Sequence, residues 1–267
     1  MVLLITSTQN AHIKHLTALQ QKSALRKSEG VFLVEGRREL EHCLEAGFQL
    51  EEVYVCPELM ESGEKVLDEM VAKVGESHVF QVSPAVYDRI AYRGTTEGVV
   101  ALVKSRRLAL EDLHLPENPL LVVLESVEKP GNLGAVLRSA DAAKADAVIV
   151  CDPLTDLFNP NLIRSSIGAI FTVPTVACTS EECIAFLQHR GISILTAQLQ
   201  DSNLYYDTPM TGPTAIVMGT ESTGLTQQWR EAATAHIRIP MLGRLDSLNV
   251  SVSAAILLFE AVRQRQQ

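Results

Sequence analysis

The stretch LLVVLESVEKPGNLGAVLRSADAA, residues 120–143, joins an unbroken apolar run to a turn with two glycines and a helical pattern. An apolar run without alternation is typical of a parallel strand that is buried on both faces. Gly131 and Gly134 let the backbone turn tightly into a helix predicted over 133–144, whose free N–H groups favour an anion. Arg138 lies one turn further in. The stretch therefore predicts a strand–turn–helix unit with a candidate ligand site, although a plain turn followed by a surface arginine also fits.

The rest of the second half continues this alternation of strands and helices. Strands are predicted at DAVIVC, FTVPTVA, SILTAQ, TAIVMG and HIRIP, and helices over 180–190, around 225–233 and at the C-terminal end of the sequence. The segment DLFNPNLIRSS is predicted as a loop. Alternating strands and helices form a doubly wound parallel sheet through crossover connections. The predicted fold class is therefore α/β.

The first half has its own α/β pattern. Helices are predicted over 10–28, 37–47, 58–75 and 83–92, and strands at VFLVEG, EEVYVC, HVFQV and GVVALVK. The following segment, SRRLALEDLHLPENP, breaks the periodicity and contains two prolines. We therefore predict a smaller domain over 1–107, a linker over 108–117 and a second domain over 118–267.

Composition excludes several classes of protein. With 46% hydrophobic residues and no stretch of about eighteen apolar residues, the chain is typical of a globular protein without a membrane partner. MVLLIT is too short for the apolar core of a signal peptide, so a cytoplasmic location is predicted. The five cysteines are scattered without a C-x-x-C pair, and nothing completes a ligand set around His12 and His15. Neither a disulfide framework nor a metal site is predicted.

The charge is unevenly distributed. A formal net charge of −9 disfavours a nucleic-acid partner, because lysine and arginine supply most of the affinity for phosphates. Acidic residues, however, dominate the range 39–76, while basic residues precede it. These basic residues are Lys14, Lys22, Arg26, Lys27, Arg37 and Arg38. They can line a surface that binds nucleic acid, or they can simply be solvated charges.

Two further polar segments follow predicted strands, where ligands bind in such sheets. In MGTESTGLT, residues 218–226, Gly219 permits close approach of a ligand and Glu221 offers a carboxylate. The helix in IPMLGRLDSLNVSVSAAILLFEA, residues 239–261, opens with more polar side chains than one N-cap requires, namely Arg244, Asp246, Ser247 and Asn249. No nucleophile–base arrangement and no P-loop is present. These residues suit group transfer by positioning.

Three segments, PGNLGAVLRSADAA, VMGTESTGL and IPMLGRLDSLNVSVSAAILLFE, resemble in order and spacing the three motifs of the SpoU (TrmH-like) family of RNA ribose 2′-O-methyltransferases, within the SPOUT superfamily. The resemblance covers 118–267. SEGVFLVEGRRELEHCLEAG also resembles the family's N-terminal RNA-binding domain, which has a ribosomal-protein-like α/β fold. Two departures are small: Lys144 stands where the family often has glycine, and Ser222 and Thr223 replace a small or acidic pair.

The resemblance implies a homodimer in which a C-terminal domain with a deep trefoil knot binds S-adenosylmethionine and methylates a ribose 2′-hydroxyl. The catalytic residues that it implies are Arg138, Asn132, Glu221, Ser247 and Asn249. The methyl donor would be held mainly by the backbone of Thr196, Ala197, Gly219, Ile239 and Leu248. RNA would be bound by Arg26, Lys27, Arg37 and Arg38 of the first domain and, at a phosphate, by Arg164, Ser165 and Ser166.

The implied mechanism needs no metal, because proximity and in-line orientation supply most of the acceleration. A guanidinium has a pKa above about 12. Arg138 is therefore either a base deprotonated by its surroundings or a cation that lowers the pKa of the 2′-hydroxyl. The first domain favours large-subunit ribosomal RNA over transfer RNA as the substrate. Two functions outside RNA methylation also stay open: a non-catalytic RNA-binding protein that retains the knot, and a nicotinamide-dependent enzyme.

A dimer contact is predicted on the C-terminal helix, where small residues recur at three-to-four spacing. The residues of this face are Ser251, Ala254, Ala255 and Leu258. Small side chains allow a partner helix to approach closely, and two-fold pairing is the commonest symmetric solution. The same face can instead pack within its own chain.

Overall fold

The computed structural model describes residues 2–92, 98–220, 223–245 and 247–266, which form two units. The first unit extends to Arg106 and includes Phe158–Gly168, and the second comprises Arg107–Leu157 and the residues from Ala169 onward. Residues 158–168 pack in the first unit because Phe158 stacks on Phe32, with 4.2 Å between the ring centroids. This arrangement differs from the predicted continuous domain over 118–267.

The first unit is built around a five-stranded mixed sheet. Its elements in chain order are β1 (Leu3–Ile5), α1 (Ala11–Gln21), α2 (Ser23–Glu29), β2 (Val31–Glu35), α3 (Arg37–Glu45), β3 (Leu50–Val55), α4 (Gly63–Val74), β4 (Val79–Val82), α5 (Pro84–Ile90) and β5 (Val99–Lys104). The strand order is β1-β4-β3-β5-β2. β5 runs antiparallel to both of its neighbours, whereas β1, β4 and β3 are parallel. Ile13, Leu16 and Leu19 recur at helical spacing on α1 and form part of the core of this unit.

The second unit contains a seven-stranded sheet. Its elements are β6 (Leu120–Glu125), α6 (Pro130–Ala142), β7 (Ala147–Cys151), α8 (Ala169–Thr172), β8 (Thr175–Cys178), α9 (Ser180–His189), β9 (Ser193–Ala197), β10 (Asn203–Leu204), β11 (Thr214–Met218), α10 (Gln227–Ala232), β12 (Ala235–Arg238) and α11 (Val250–Arg265); α7 (Pro160–Ser165) lies in the first unit. The order is β10-β12-β9-β11-β6-β7-β8, and all pairings between these strands are parallel. Every residue of β6, β7 and β11 is buried. The predicted parallel sheet is confirmed.

Three local predictions were wrong. The helix predicted over 10–28 is two helices, because Lys22 adopts an extended conformation with φ −112° and ψ 101°. FTVPTVA is divided between the end of α8 and β8, because Pro174 interrupts the run. The predicted loop DLFNPNLIRSS contains α7, which begins after an Asn159 side chain that accepts a hydrogen bond from the Asn161 N–H. Within the described residues, none of these helices has both the length and the apolar composition needed to cross a bilayer.

The helix α11 is fixed at both ends. The side chain of Asn249 caps its N-terminus by accepting a hydrogen bond from the Ser251 N–H at 2.9 Å. At the other end, the Arg265 guanidinium donates hydrogen bonds to four backbone carbonyls, those of Asn118, Pro119, Met210 and Gly212. These carbonyls precede β6 and β11. The terminal helix therefore anchors the starts of two central strands.

Two of the four residues of α11 that were predicted as a dimer contact are instead part of the core, while Ser251 and Ala255 are half-buried. Ala254 and Leu258 are fully buried within the single chain, where α11 packs against α6. The small side chains allow this close packing of two helices in one unit. The exposed apolar side chains of α11 are Val252 and Phe259, which lie on another face.

Candidate functional site

A cavity of about 430 Å³ lies in the second unit, where β9, β11 and β12 end. Its described lining comes from four segments, 197–200 at the end of β9, 218–220 with 223–225 around the end of β11, 237–241 around the end of β12 and 247–253 around the start of α11, and from Arg230 of α10. The carboxyl ends of neighbouring parallel strands meet at one edge of a sheet, and ligands bind in the crevice beyond them. The size is that of a small-molecule site.

Most of the residues predicted to hold the methyl donor line this cavity. Ala197, Gly219, Ile239 and Leu248 all do so, and the predicted catalytic residue Ser247 joins them. Thr196 is absent from the described lining. Its buried hydroxyl lies 2.6 Å from Nδ1 of His236 on the neighbouring strand β12. The side chain of Thr196 therefore joins two strands.

The loop after β11 folds back tightly on itself. A Cβ atom at position 219 would lie 2.3 Å from the backbone carbonyl carbon of Gly224, so only glycine fits there. Gly224 itself has φ +68° and donates its N–H to the Thr220 carbonyl at 3.1 Å. The two hydroxyls of Thr220 and Thr223 are 2.7 Å apart. Glu221, the carboxylate predicted for this loop, lies outside the described residues.

The first and third sequence motifs meet at two asparagines. Asn132 lies in the first turn of α6, and Asn249 is the N-cap of α11. Nδ2 of Asn249 donates a hydrogen bond to Oδ1 of Asn132 over 3.2 Å. Arg138 lies further along α6, is exposed, and does not belong to the described lining of the cavity. The structure therefore brings together Asn132 and Asn249, while the guanidinium of Arg138 is accessible to an external molecule.

A partly buried polar network at the ends of β6 and β7 was not predicted. Glu125 is only 2% exposed and accepts hydrogen bonds from the N–H and the hydroxyl of Thr226, at 2.9 and 2.6 Å. The hydroxyl of Ser180 donates to Oδ2 of Asp152 at 2.6 Å and accepts from Nε1 of Trp229 at 3.0 Å. Thr226 is the N-cap residue of α10. The network therefore holds the helix that follows the cavity loop 218–225. The carboxylate at the end of an otherwise apolar strand was the available sequence signal.

Three cysteines that are scattered in the sequence lie together in the structure. The Sγ atoms of Cys151, Cys178 and Cys183 are within 4.8 Å of one another. The pKa of the Cys178 thiol is lowered, because its thiolate accepts hydrogen bonds from Cys151 and Cys183. This cluster lies at the ends of β7 and β8, outside the described lining of the cavity.

The structure contradicts two of the predicted RNA contacts in the first unit. Arg26 is 4% exposed and donates to the carbonyls of Leu19 and Gln20, so it is a structural residue. Ser166 is fully buried and donates its hydroxyl to the Ile163 carbonyl.

The other predicted RNA contacts remain accessible to different degrees. Lys27, Arg37 and Arg38 are exposed. Arg164 is also exposed and donates to the Tyr92 carbonyl at 2.7 Å. Ser165 is half-buried, and its hydroxyl donates to the Leu162 carbonyl at 3.1 Å.

Known proteins are similar to this chain in both sequence and fold. Residues 119–259 match the SpoU rRNA Methylase family, and residues 10–101 match the MRM3-like substrate binding domain. The 23S rRNA (guanosine-2′-O-)-methyltransferase RlmB of Photobacterium profundum is 41% identical over 176 residues, which cover 64% of this chain and 72% of that protein.

Two solved structures are similar over nearly the whole chain. An RNA 2′-O ribose methyltransferase has a TM-score of 0.86 at 39% identity, and the match covers 99% of this chain and 100% of that one. An rRNA methyltransferase from Sinorhizobium meliloti with bound S-adenosylmethionine has a TM-score of 0.88 at 32% identity, with 98% of each chain covered. These similarities confirm the predicted α/β fold class and support the predicted methyl donor. Because the family match spans more than half of the sequence and coincides with the sheet, the cavity and the asparagine pair, this chain belongs to the SpoU rRNA methylase family and is an RNA methyltransferase.

Proposed function

We propose that this chain transfers the methyl group of S-adenosylmethionine to a ribose 2′-hydroxyl of 23S ribosomal RNA, at a guanosine. The observation that carries the proposal is the cavity at the ends of β9, β11 and β12, which four of the five predicted donor-binding residues line. The similarity to RlmB supports the substrate. We also propose that the loops around this cavity form the trefoil knot of the family. A ribosomal RNA substrate implies the predicted cytoplasmic location.

The residues present fit S-adenosylmethionine. Gly219 and Ala197, which have little or no side chain, line the cavity together with apolar Ile239 and Leu248, so a ligand there can approach the backbone at the ends of the strands. When bound, this cofactor supplies a methyl group that is already activated by a sulfonium. The proposed transfer therefore requires orientation of the acceptor and no metal ion.

The acceptor side of the reaction is assigned to Arg138 and the asparagine pair. Asn132 and Asn249 fix the start of α6 against the start of α11, next to the cavity residue Ser247. The exposed guanidinium of Arg138 is then available to donate hydrogen bonds to the ribose oxygen or to an adjacent phosphate. The proposal keeps both roles predicted for Arg138, a base and an electrostatic stabiliser. We propose Glu221 as an orienting carboxylate on the basis of its motif alone.

A methyl-transfer assay tests this function. The purified chain is mixed with labelled S-adenosylmethionine and either 23S rRNA or transfer RNA, and the modified nucleotide is mapped. We expect transfer to a 2′-hydroxyl of 23S rRNA that Arg138→Ala abolishes, while donor affinity changes less than about tenfold because Arg138 is outside the cavity lining. Arg138→Lys should also fail, because lysine offers a point charge in place of a planar fork.

Several results would overturn the proposal. Transfer to tRNA alone would exclude the ribosomal substrate. Binding of NAD without S-adenosylmethionine would support a nicotinamide-dependent enzyme, and RNA binding without any transfer would support a non-catalytic RNA-binding protein. Loss of donor binding in Arg138→Ala would remove Arg138 from the acceptor side.

The first unit is proposed as the RNA-binding domain. Its match to a substrate binding domain supports this role, and Lys27, Arg37 and Arg38 offer exposed positive charge on α2 and α3. Replacing all three with alanine should weaken RNA binding and flatten its dependence on salt, because fewer counterions are released. Lys65→Ala with Lys73→Ala, on the acidic helix α4, is the matched control. Equal losses in both variants would argue against a specific RNA surface.

We propose that the chain acts as a homodimer through an apolar stripe on α11. Val252, Ala255, Ile256 and Phe259 follow the i, i+3, i+4, i+7 spacing of one helix face. Val252 is 47% and Phe259 48% exposed in the single chain, although both side chains are apolar. Burial of this stripe against its copy would remove both side chains from water.

A further inference from the structure

The three clustered cysteines come from different elements that share one end of the sheet. Cys151 ends β7 and Cys178 ends β8, and the two residues are direct partners in the parallel pairing. Cys183 lies in the first half of α9. Cys151 and Cys183 are fully buried, whereas Cys178 is half-buried. The cluster is therefore held by rigid elements and is reached by solvent from the side of Cys178.

The geometry points to a metal site: we propose that Cys151, Cys178 and Cys183 bind one thiophilic divalent cation of the zinc class. Thiolates bind zinc at about 2.3 Å, which puts two ligands of a tetrahedral site about 3.8 Å apart. The three Sγ atoms already lie within 4.8 Å of one another. Small rotations of these side chains complete three positions, and water occupies the fourth beside half-buried Cys178.

The chemistry of the cluster favours a soft cation over a disulfide. Each thiol that binds the cation releases its proton to solvent and forms one sulfur–metal bond. Three thiolates and one divalent cation together carry a single negative charge. A disulfide would use only two of the three thiols and would require an oxidant. The cation would join β7, β8 and α9 beside the Ser180–Asp152 hydrogen bond and would so stabilise this end of the sheet.

Cobalt titration of the reduced chain tests the site, because thiolate–cobalt bonds produce a charge-transfer absorption. We expect about one cobalt ion per chain, displaced by zinc, with the absorption lost in Cys178→Ser and Cys183→Ser. Cys43→Ser is the matched control, because Cys43 is a buried thiol in the first unit, away from the cluster. The control variant should bind cobalt like the wild type.

A second measurement on the wild type removes any dependence on the folding of the variants. Alkylation should modify half-buried Cys178 in the metal-free chain and fail to do so after zinc is added, while melting shifts to a higher temperature. The proposal is overturned if the folded, reduced chain shows no charge-transfer absorption. It is equally overturned if Cys178 alkylates at the same rate with and without zinc, or if folded Cys178→Ser keeps the full absorption.

Discussion

Asn249 donates a hydrogen bond from its side-chain amide to Oδ1 of Asn132, although 117 positions separate the two residues in the sequence. The same Asn249 side chain accepts from the Ser251 N–H through its Oδ1 atom and so caps α11. The side-chain amide of Asn249 thus makes two contacts, one through its nitrogen and one through its oxygen. It begins a helix, and it attaches that helix to α6, the helix that carries Arg138.

Substitutions of Asn249 should separate the effect of the helix cap from the effect of the hydrogen bond to Asn132. Asn249→Ser keeps an N-cap oxygen but loses the contact with Asn132, so we expect methyl transfer to fall by about a hundredfold with little change in stability. Asn249→Ala should add a loss of about 1 kcal/mol in the free energy of unfolding. Single-turnover rates and urea denaturation measure the two effects.

The partner residue supplies the control for this pair. Asn132→Ala should lower the rate as Asn249→Ser does. The variant that carries both substitutions should be no slower than either single variant, because each substitution removes the same hydrogen bond. Fully additive losses would show that the two asparagines act separately.

Gly219→Ala should weaken donor binding at least about tenfold, because the new Cβ atom would lie 2.3 Å from the Gly224 backbone and must displace the cavity loop. Gly212→Ala is the control, since a Cβ atom there meets nothing within 4 Å. Isothermal titration with S-adenosylmethionine measures the affinity. Normal binding by Gly219→Ala would mean that this loop does not contact the donor.

Glu125→Ala should destabilise the second unit by about 2 kcal/mol, because the buried Glu125 carboxylate accepts two hydrogen bonds from Thr226, one from its N–H and one from its hydroxyl. Exposed Glu117→Ala should change the free energy of unfolding by less than about 0.5 kcal/mol. Urea denaturation gives both values. A similar small change in the two variants would mean that water replaces the carboxylate.

Phe259→Asp should convert a dimer to a monomer, because the contact would then bury an unpaired charge on the exposed stripe of α11. Sedimentation velocity at micromolar concentration measures the change. Gln266→Asp, an exposed position at the C-cap of the same helix, should leave the dimer intact. A wild-type chain that is monomeric and fully active would remove the proposed dimer.

The sequence predicts best where a single physical preference dominates. The runs in β6, β7 and β11 have no alternation because both faces are covered, and the same runs predicted a parallel sheet. Gly219 was predicted from its place at a strand end, and its crowded surroundings explain the choice of glycine.

Prediction from the sequence fails where a side chain forms hydrogen bonds with a group that the local pattern does not indicate. Arg26 looks like part of a basic cluster, yet its guanidinium is used for the last carbonyls of α1, which ends before Lys22. The contact between Asn132 and Asn249 depends on the packing of α6 against α11, which local pattern does not encode.

Because both ends of α11 are held by specific contacts, the number of residues in this helix is constrained. Asn249 sets its start and Arg265 reaches four carbonyls at its other end, with 16 residues in the helix. One inserted residue would advance the end by about 1.5 Å and rotate it by about 100°, so the cap and the arginine contacts could not both persist. Evolution of this segment can therefore exchange side chains on its outer face, but it cannot add or delete a single residue without detaching one end.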